Sequence, residues 1–600
     1  MSYITGWFGH PGSATDPDIN SSFFNNVSSS PYQKISHPSF TLAGTTQCDT
    51  ATVDSISVCI HGLPRWSDPS LQSTSDQLGL ANTVAQFYTQ YGIRLLSELQ
   101  GGFSLVVYDQ TRQSGLLAID KMGIKSLCYS INDYGLIFGP PTVISRHPNF
   151  NPVLDPQALF AYLYFHMIPS PLSIYKGISK LLPGQFLLWD HGRAELGFFW
   201  QPSFADSPAS ECHLAKQLHN RLMNSVGANV VSPETTGSFL SGGLDSSTIT
   251  GLLKQHIPAQ ATAFSIGFSA EGYDEMEYAR ASATHFDVPL VEYYVTPEDV
   301  VEAIPQIAAC YDEPFGNASA VPTYYCARLA QQHGMSRLLA GDGGDELFAG
   351  NARYAKQQIF ALYEHVPLWL QQKLVEPLVN SNIPGMGKLR SYVSQARVPM
   401  PERMETYNFL HRSPLSEIFV PEFLASINAD WPIEHLQEIY RRPDDASLLK
   451  RMLWLDWKIT LADNDLRKVN RMCDLAGIEV AYPMLDDSVV QLAASIPDLY
   501  LMRRFELRSF YRRAMKDFLP PSTLRKSKHG FGLPFGLWLQ THRQLQEMAY
   551  SSLEHPSLNG IIQKSYINNL KKSHQSQHAS YYGVMIWILM MLAQWMEAHR

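Results

Sequence analysis

Over residues 1 to about 200, apolar residues gather in short runs instead of recurring at helical spacing. Tyr3–Phe8, Ile56–Ile60, Phe103–Tyr108, Gly115–Ile119, Gly135–Phe138 and Gln185–Trp189 are separated by Gly, Pro, Asn, Asp and Ser clusters. That pattern predicts a largely antiparallel sheet or sandwich. Between the runs, Ala81–Tyr91 and Asp155–His166 carry the i, i+3, i+4 spacing of helices. Gly9 to Pro38 is dense in Ser, Asn, Pro and Gly and predicts loop, and Pro202 to Pro208 predicts a linker.

Beyond the linker the pattern changes to strand-then-helix alternation. Gly237–Leu240 precedes a helix over 247–256, Thr262–Gly267 one over 274–285, and Arg337–Ala340 one near 345–356. Such alternation predicts a parallel sheet with helices on its faces and ligands at the carboxyl ends of its strands. From Gln358 onward the chain reads as mostly helical, a part expected to cap the ligand site. Tyr581 to Ala593 is uncharged and rich in Met, Ile and Trp. It falls short of the roughly 20 residues a membrane span needs, so a buried terminal helix is expected. The fold class predicted is an α+β antiparallel-sheet domain over 1-205, then an α/β parallel-sheet domain over 206-600 with a helical C-terminal part.

Composition narrows the function. The 600 residues are 45% hydrophobic and 17% charged, with net charge −9, which describes a globular chain with no basic footprint for nucleic acid. The seven cysteines are dispersed, odd in number and without CxxC spacing. A reduced, cytoplasmic chain without structural zinc is expected. The opening Met1-Ser-Tyr-Ile-Thr-Gly-Trp-Phe has neither a basic n-region nor a long apolar h-region, and no membrane partner is expected.

The chemistry concentrates in two turns at strand ends. Ser241-Gly-Gly-Leu-Asp-Ser-Ser247 follows an apolar strand and precedes a helix. Glycines let backbone N–H groups approach phosphate oxygens, and the helix aims its positive end at the same charge. Ser241, Ser246 and Ser247 add donors, and Asp245 is a hard ligand of the kind Mg²⁺ takes. No Walker pattern is present. The second turn, Leu338-Leu-Ala-Gly-Asp-Gly-Gly-Asp-Glu-Leu-Phe348, brings Asp342, Asp345 and Glu346 together. Three carboxylates so close call for a compensating cation.

This pair of turns resembles the ATP-pyrophosphatase domain of the asparagine synthetase family. Ala263-Phe-Ser-Ile-Gly267, Tyr311-Asp-Glu-Pro314, Lys468-Val-Asn-Arg-Met472, Gly477 to Asp486 and Lys528-His-Gly-Phe-Gly-Leu-Pro534 extend the likeness over residues 210 to 600. The resemblance implies ATP and Mg²⁺ as cofactors, with a substrate carboxylate adenylated and pyrophosphate released. By the same resemblance, Ser241, Gly242, Gly243, Asp245, Ser246 and Ser247 hold pyrophosphate, and Asp245 with Asp345 binds Mg²⁺. Phe239, Leu240, Ile266 and Gly341 lie against AMP. Asp342, Lys468, Arg508 and Lys528 are the candidate catalytic residues, and Arg471 is a further candidate cation. Arg508 stands where the family places a lysine, and Ala481 replaces the arginine of E-x-R-x-P.

The first domain resembles the family's N-terminal-nucleophile glutaminase half in Leu99 to Asp109, Ile119 to Leu127 and Leu181-Leu-Pro-Gly-Gln185. Its chemistry is depleted. Ser2 stands where the family has its nucleophilic cysteine, and a hydroxyl ionises far less than a thiol. Of the glutamine-holding stretches only Gly62 and Asp76 are recognisable. Glutamine hydrolysis is therefore not expected, and the attacking amine must come from solution or from the substrate. A β-lactam synthetase carries tyrosine at the place of Asp342. By elimination the chain is most similar to lasso-peptide cyclases, which join a peptide's side-chain carboxyl to its own amine. Partners so implied are ATP, a carboxylate-bearing small molecule or peptide, a precursor peptide and its leader-peptide protease. An asparagine synthetase making asparagine from aspartate, ammonia-dependent or weakly glutamine-hydrolysing, is the alternative; a β-lactam-synthetase-like enzyme or an inactive pseudoenzyme is the second.

Overall fold

The computed structural model describes residues 3–9, 32–37, 39–45, 47–364, 366–375, 387–526 and 532–599. Two six-stranded antiparallel sheets form the first part. One runs Ser179–Lys180, Cys128–Asn132, Gly135–Gly139, Ile4–Gly9, Phe40–Thr45, Tyr32–His37. The other runs Arg193–Phe198, Gln185–Asp190, Ser114–Ile119, Phe103–Asp109, Ile56–Gly62, Cys48–Val53. Alternation along Phe103–Asp109 shows why its residues are all buried. Val106 and Tyr108 face the core shared with Phe8, Phe40 and Trp189 of both sheets. Phe103, Leu105 and Val107 face outward against Val84 and Ala85 of the helix Leu80–Tyr91. On the far side, Trp7 and Ile137 pack in the cluster that holds the helix Pro156–Phe165. The strand Tyr32–His37 corrects the loop expected over Gly9 to Pro38; residues 10–31 of that stretch lie outside the described ones. It is an edge strand with one paired side, and pairing across to Phe40–Thr45 outweighs its weak apolar pattern.

The second part is built on a five-stranded parallel sheet in the order Leu290–Val295, Ala263–Phe268, Thr236–Phe239, Arg337–Leu339, Glu479–Ala481. The chain fills this sheet outward in one direction, then returns to the other side of Thr236–Phe239. That reversal places the carboxyl ends of Thr236–Phe239 and Arg337–Leu339 side by side, where an α/β sheet binds its ligand. Leu290–Val295 and Glu479–Ala481 lay beyond the strands read from the sequence. Helices Leu244–His256 and Met276–Phe286 stand near their expected places. The helix expected near 345–356 is instead broken. Gly344–Leu347 is one short turn, Ala349 takes φ +57°, and a new helix covers Ala352–Glu364. The Gly350 N–H returns to the Asp345 carbonyl at 2.7 Å, closing the acidic turn on itself.

The terminal helix is longer than expected, Ala579–Ala598, and by length and composition could cross a bilayer. Most of its apolar window is buried among the helices Pro297–Cys310, Phe535–Thr541, Arg543–Leu553 and Lys564–Ser576. It crosses Phe535–Thr541 at two glycines: a Cβ on Gly583 would stand 2.6 Å from Gly536 Cα. Gly583→Ala is therefore expected to destabilise the protein by about 1–3 kcal/mol through overpacking. The check is the thermal unfolding midpoint, and an unshifted midpoint refutes the close crossing.

Candidate active site

The first turn leaves Thr236–Phe239 and enters Leu244–His256. Gly242, at φ +70°, presses its Cα side against Tyr278 and Ala279, where a Cβ would meet backbone at 2.3 Å. Ser241 and Ser246 brace the loop: their hydroxyls lie 3.1 Å apart, and the Ser241 N–H donates to Ser246 Oγ at 3.2 Å. The loop's shape is thus set before any ligand arrives, with the helix amino end facing the cavity. The Ser247 hydroxyl turns away. It lies 2.9 Å from Ser282 Oγ, which in turn lies 3.0 Å from Thr523 Oγ1, so it supports the loop from behind.

The second turn comes against the first through glycine. A Cβ on Gly344 would sit 2.1 Å from Asp245 Oδ1, and one on Gly341 2.8 Å from the Ser246 nitrogen. Asp245 and Asp345 thereby face one another, and Arg508 enters between them. Its Nη1 donates to Asp245 Oδ2 at 2.9 Å and to Asp345 Oδ1 at 2.6 Å, and its Nη2 donates to Asp245 Oδ1. The guanidinium lies over the rings of Tyr511 and Phe348, 4.5 and 5.9 Å from their centroids. Its own backbone is left-handed, φ +58°, and its N–H donates to the Ala349 carbonyl at 3.2 Å. Burial opposes its charge, but the two carboxylates raise its pKa above the ordinary value. The carboxylate oxygens expected to hold Mg²⁺ therefore also accept from a cation of the chain.

The remaining acids are more weakly compensated. Burial pushes the Asp342 carboxyl up to about 6, against the pull of Lys468. Burial, then the charge of Asp345, holds Glu346 well above the usual carboxylate range. Lys468 Nζ lies 2.8 Å from Asp465 Oδ1.

These groups surround a cavity of about 660 Å³. Phe239, Leu240, Ser241, Gly243, Asp245, Ser246, Ile266, Gly341, Asp342, Asp345, Lys468 and Arg508 all line it. Gly242 and Ser247 stand behind its wall. Lys528 lies outside the described residues. Arg471 does not reach the cavity; it pairs with Asp312 at the junction with the first part. Two residues went unnoticed in the sequence. Lys526 Nζ donates to the Ser241 carbonyl at 3.2 Å and pairs with Glu275 at 3.1 Å, above the Tyr278 ring. Arg512 donates to the Leu524 carbonyl and has a buried, unpaired Nε. The basic run Arg525-Lys-Ser-Lys528 was the signal for the first, and which of its lysines faces the loop depends on packing.

The family model for asparagine synthase matches residues 217–597, and that for a glutamine amidotransferase domain matches 67–200. The chain belongs to the asparagine synthase family. It is a C–N ligase that spends ATP to AMP and pyrophosphate. The glutamine-hydrolysing asparagine synthetase 1 of Bacillus subtilis is 25% identical over 511 residues, covering 85% of this chain and 79% of its own. A putative glutamine-hydrolysing asparagine synthetase of Mycobacterium tuberculosis is 25% identical over 540 residues, covering 86% and 79%. A second such putative enzyme, of Methanocaldococcus jannaschii, is 27% identical over 411 residues, covering 66% and 77%.

In the amidotransferase-like part, Ser2 lies outside the described residues. Gly62 ends the strand Ile56–Gly62, beside the buried His61, whose imidazole burial holds well below its ordinary pKa. Asp76 is exposed on the helix Pro69–Leu78 and accepts from Gln72 at 2.8 Å. Helical spacing from Gln72 placed it there, which the sequence motif alone did not reveal.

Replacing Arg508 by methionine removes the guanidinium that bridges Asp245 and Asp345. The expected cost is about 3–5 kcal/mol, seen as a lower unfolding temperature, with Mg²⁺ raising that temperature more in the variant than in the parent. Equal Mg²⁺ responses refute the shared-oxygen geometry.

Proposed function

We propose that this ligase adenylates a single carboxyl carried on a peptide and joins it to an amine of the same peptide, in the manner of lasso-peptide cyclases. The observation that carries the reading is the charge ledger of the nucleotide cavity. Four cations line it among the described residues, and each has an anionic or carbonyl partner: Lys468 on Asp465, Arg508 on Asp245 and Asp345, Arg512 on the Leu524 carbonyl, Lys526 on Glu275. Free aspartate would bring a second carboxylate, and burying it without a cation is costly. Six carboxylates on the same wall weigh further against a second acid on the substrate. Ala481, at the place of the family arginine, agrees with this.

In the reaction, a carboxylate oxygen attacks the α-phosphorus, the bond to the β-phosphate bridge breaks, and pyrophosphate leaves. The amine then attacks the acyl carbon, loses a proton, and AMP departs. The braced loop from Ser241 to Ser246 would grip the departing pyrophosphate, and Lys526 would hold that loop in place. Phe239, Leu240, Ile266 and Gly341 would bear on AMP. Lys468 and Arg508 would offset the developing charge. Asp342 would take the amine's proton.

The donor set suits Mg²⁺, which takes one or two carboxylates together with phosphate oxygens. Asp245 and Asp345 are such a pair, and among the described residues no group of three or more His, Cys, Asp or Glu forms a complete cage. Bound with the nucleotide, the ion would neutralise phosphate charge, and Arg508 addresses the same oxygens. A reduced cytoplasmic setting belongs to this reading; all seven cysteines are free thiols.

The second reading, synthesis of asparagine from aspartate, is favoured by the names of the relatives. Incubation with ATP, Mg²⁺, aspartate and ammonium separates the two: no asparagine and no stimulated AMP release are expected, whereas rapid formation of both rejects the peptide reading. With a peptide substrate, the rate should fall as pH drops through about 6, because protonated Asp342 cannot accept the proton. Asp342→Asn should abolish that acidic limb and lower kcat by about 10²-fold or more; a pH profile shared by variant and parent removes Asp342 from the role.

A further inference from the structure

Residues 457–476 form a wall between two chambers. Trp457–Asp465 runs in wide π-type turns and continues as the helix Leu466–Ala476. Asp465, Lys468 and Val469 line the nucleotide cavity. Asp463, Arg467, Asn470, Arg471 and Asp474, at helical spacing on another face, line a cavity of about 90 Å³ at the junction with the amidotransferase-like part.

On that second face the first part grips the wall through buried polar groups. Ser170 donates twice to Asp463, from its backbone N–H at 2.8 Å and its hydroxyl at 2.7 Å. Arg467 spans Asp463 at 3.0 Å and Glu313 at 3.3 Å, and Glu313 is held by Lys180 at 2.6 Å. Asn470 donates to the Ile124 carbonyl at 2.6 Å. On the opposite face, Asn464 accepts from Asn317 at 2.8 Å, next in sequence to Asp465, which holds Lys468.

π-type turns are rare and occur mostly as single-turn bulges inside α-helices, so a stretch of nine residues calls for support from its surroundings. A buried carboxylate with two donors on one residue supplies the missing constraint, since charge-assisted bonds in a low-dielectric setting are strong and directional. We infer that the amidotransferase-like part serves the synthetase site as a positioning element: Ser170, through Asp463, sets the register of the wall that presents Lys468 to the nucleotide. Ser170 is thus a positioning residue. The inference rests on the reading above only in that Lys468 faces ATP, and it requires no amidase chemistry.

The test is the affinity of full-length protein for ATP with Mg²⁺, measured by calorimetry beside the unfolding temperature. Lys468→Met should weaken binding and calibrates the site. Ser170→Ala should weaken it by about fivefold or more, with little change in unfolding temperature, and Ser170→Thr, which keeps the hydroxyl, should restore it. Asp463→Asn offers a second probe of the same link and should also weaken binding. Arg65→Ala breaks a junction pair with Asp486 away from the wall and should leave affinity unchanged. Parental affinity in both Ser170→Ala and Asp463→Asn, with Lys468→Met impaired, overturns the inference; so does an Arg65→Ala loss equal to that of Ser170→Ala. A parent that does not bind ATP, or an indifferent Lys468→Met, overturns the nucleotide reading itself.

Discussion

Two carboxylates held face to face by glycine turns are the constraint around which the synthetase part is arranged. Asp245 and Asp345 come from different strand ends, and their turns touch only because Gly341 and Gly344 have no side chains. Such proximity is unfavourable for like charges unless a cation sits between them. Arg508 meets that need, and its left-handed backbone, its two aromatic neighbours and its bond to Ala349 all serve to deliver the guanidinium there. The break in the helix after Leu347 follows from the same demand, because Gly350 must pass beside Asp345 and the Arg508 stem.

Around this pair, the site is divided by function. The serine-rich loop is braced internally and supported from behind by Ser247, Ser282 and Thr523, so its N–H groups need little reorganisation to receive phosphate. Among the described residues, acids outnumber cations on the cavity wall, and each of those cations is already engaged. Under the proposed reading, a second substrate carboxylate would find no unengaged cation among the described residues. The wall carrying Lys468 links this chamber to the amidotransferase-like part through buried hydrogen bonds, so the two parts share one polar network.

Local features were readable without coordinates because their physics is local. The glycine and acid spacing of the two turns, the strand-then-helix alternation before them and the period-two runs of the first part each reflect neighbours in sequence. Leu290–Val295 and Glu479–Ala481 escaped notice because a short strand gains its stability from parallel partners rather than from its own pattern. Tyr32–His37 escaped for the same reason at a sheet edge. Asp76 looked like a survivor of a glutamine site until its helix placed it in solvent.

By itself, the sequence determined the class of each part, the two turns and the identity of the groups that could do chemistry, since each depends on residues within a few positions of one another. Only the tertiary structure decided how those groups are paired. Arg508 lies 263 residues from Asp245 and 163 from Asp345, and Ser170 lies 293 from Asp463. That Lys526 reaches the Ser241 carbonyl, and which face of residues 457–476 meets which chamber, are likewise outcomes of packing. Charge compensation in a buried site acts through space, and the order of residues along the chain does not record it.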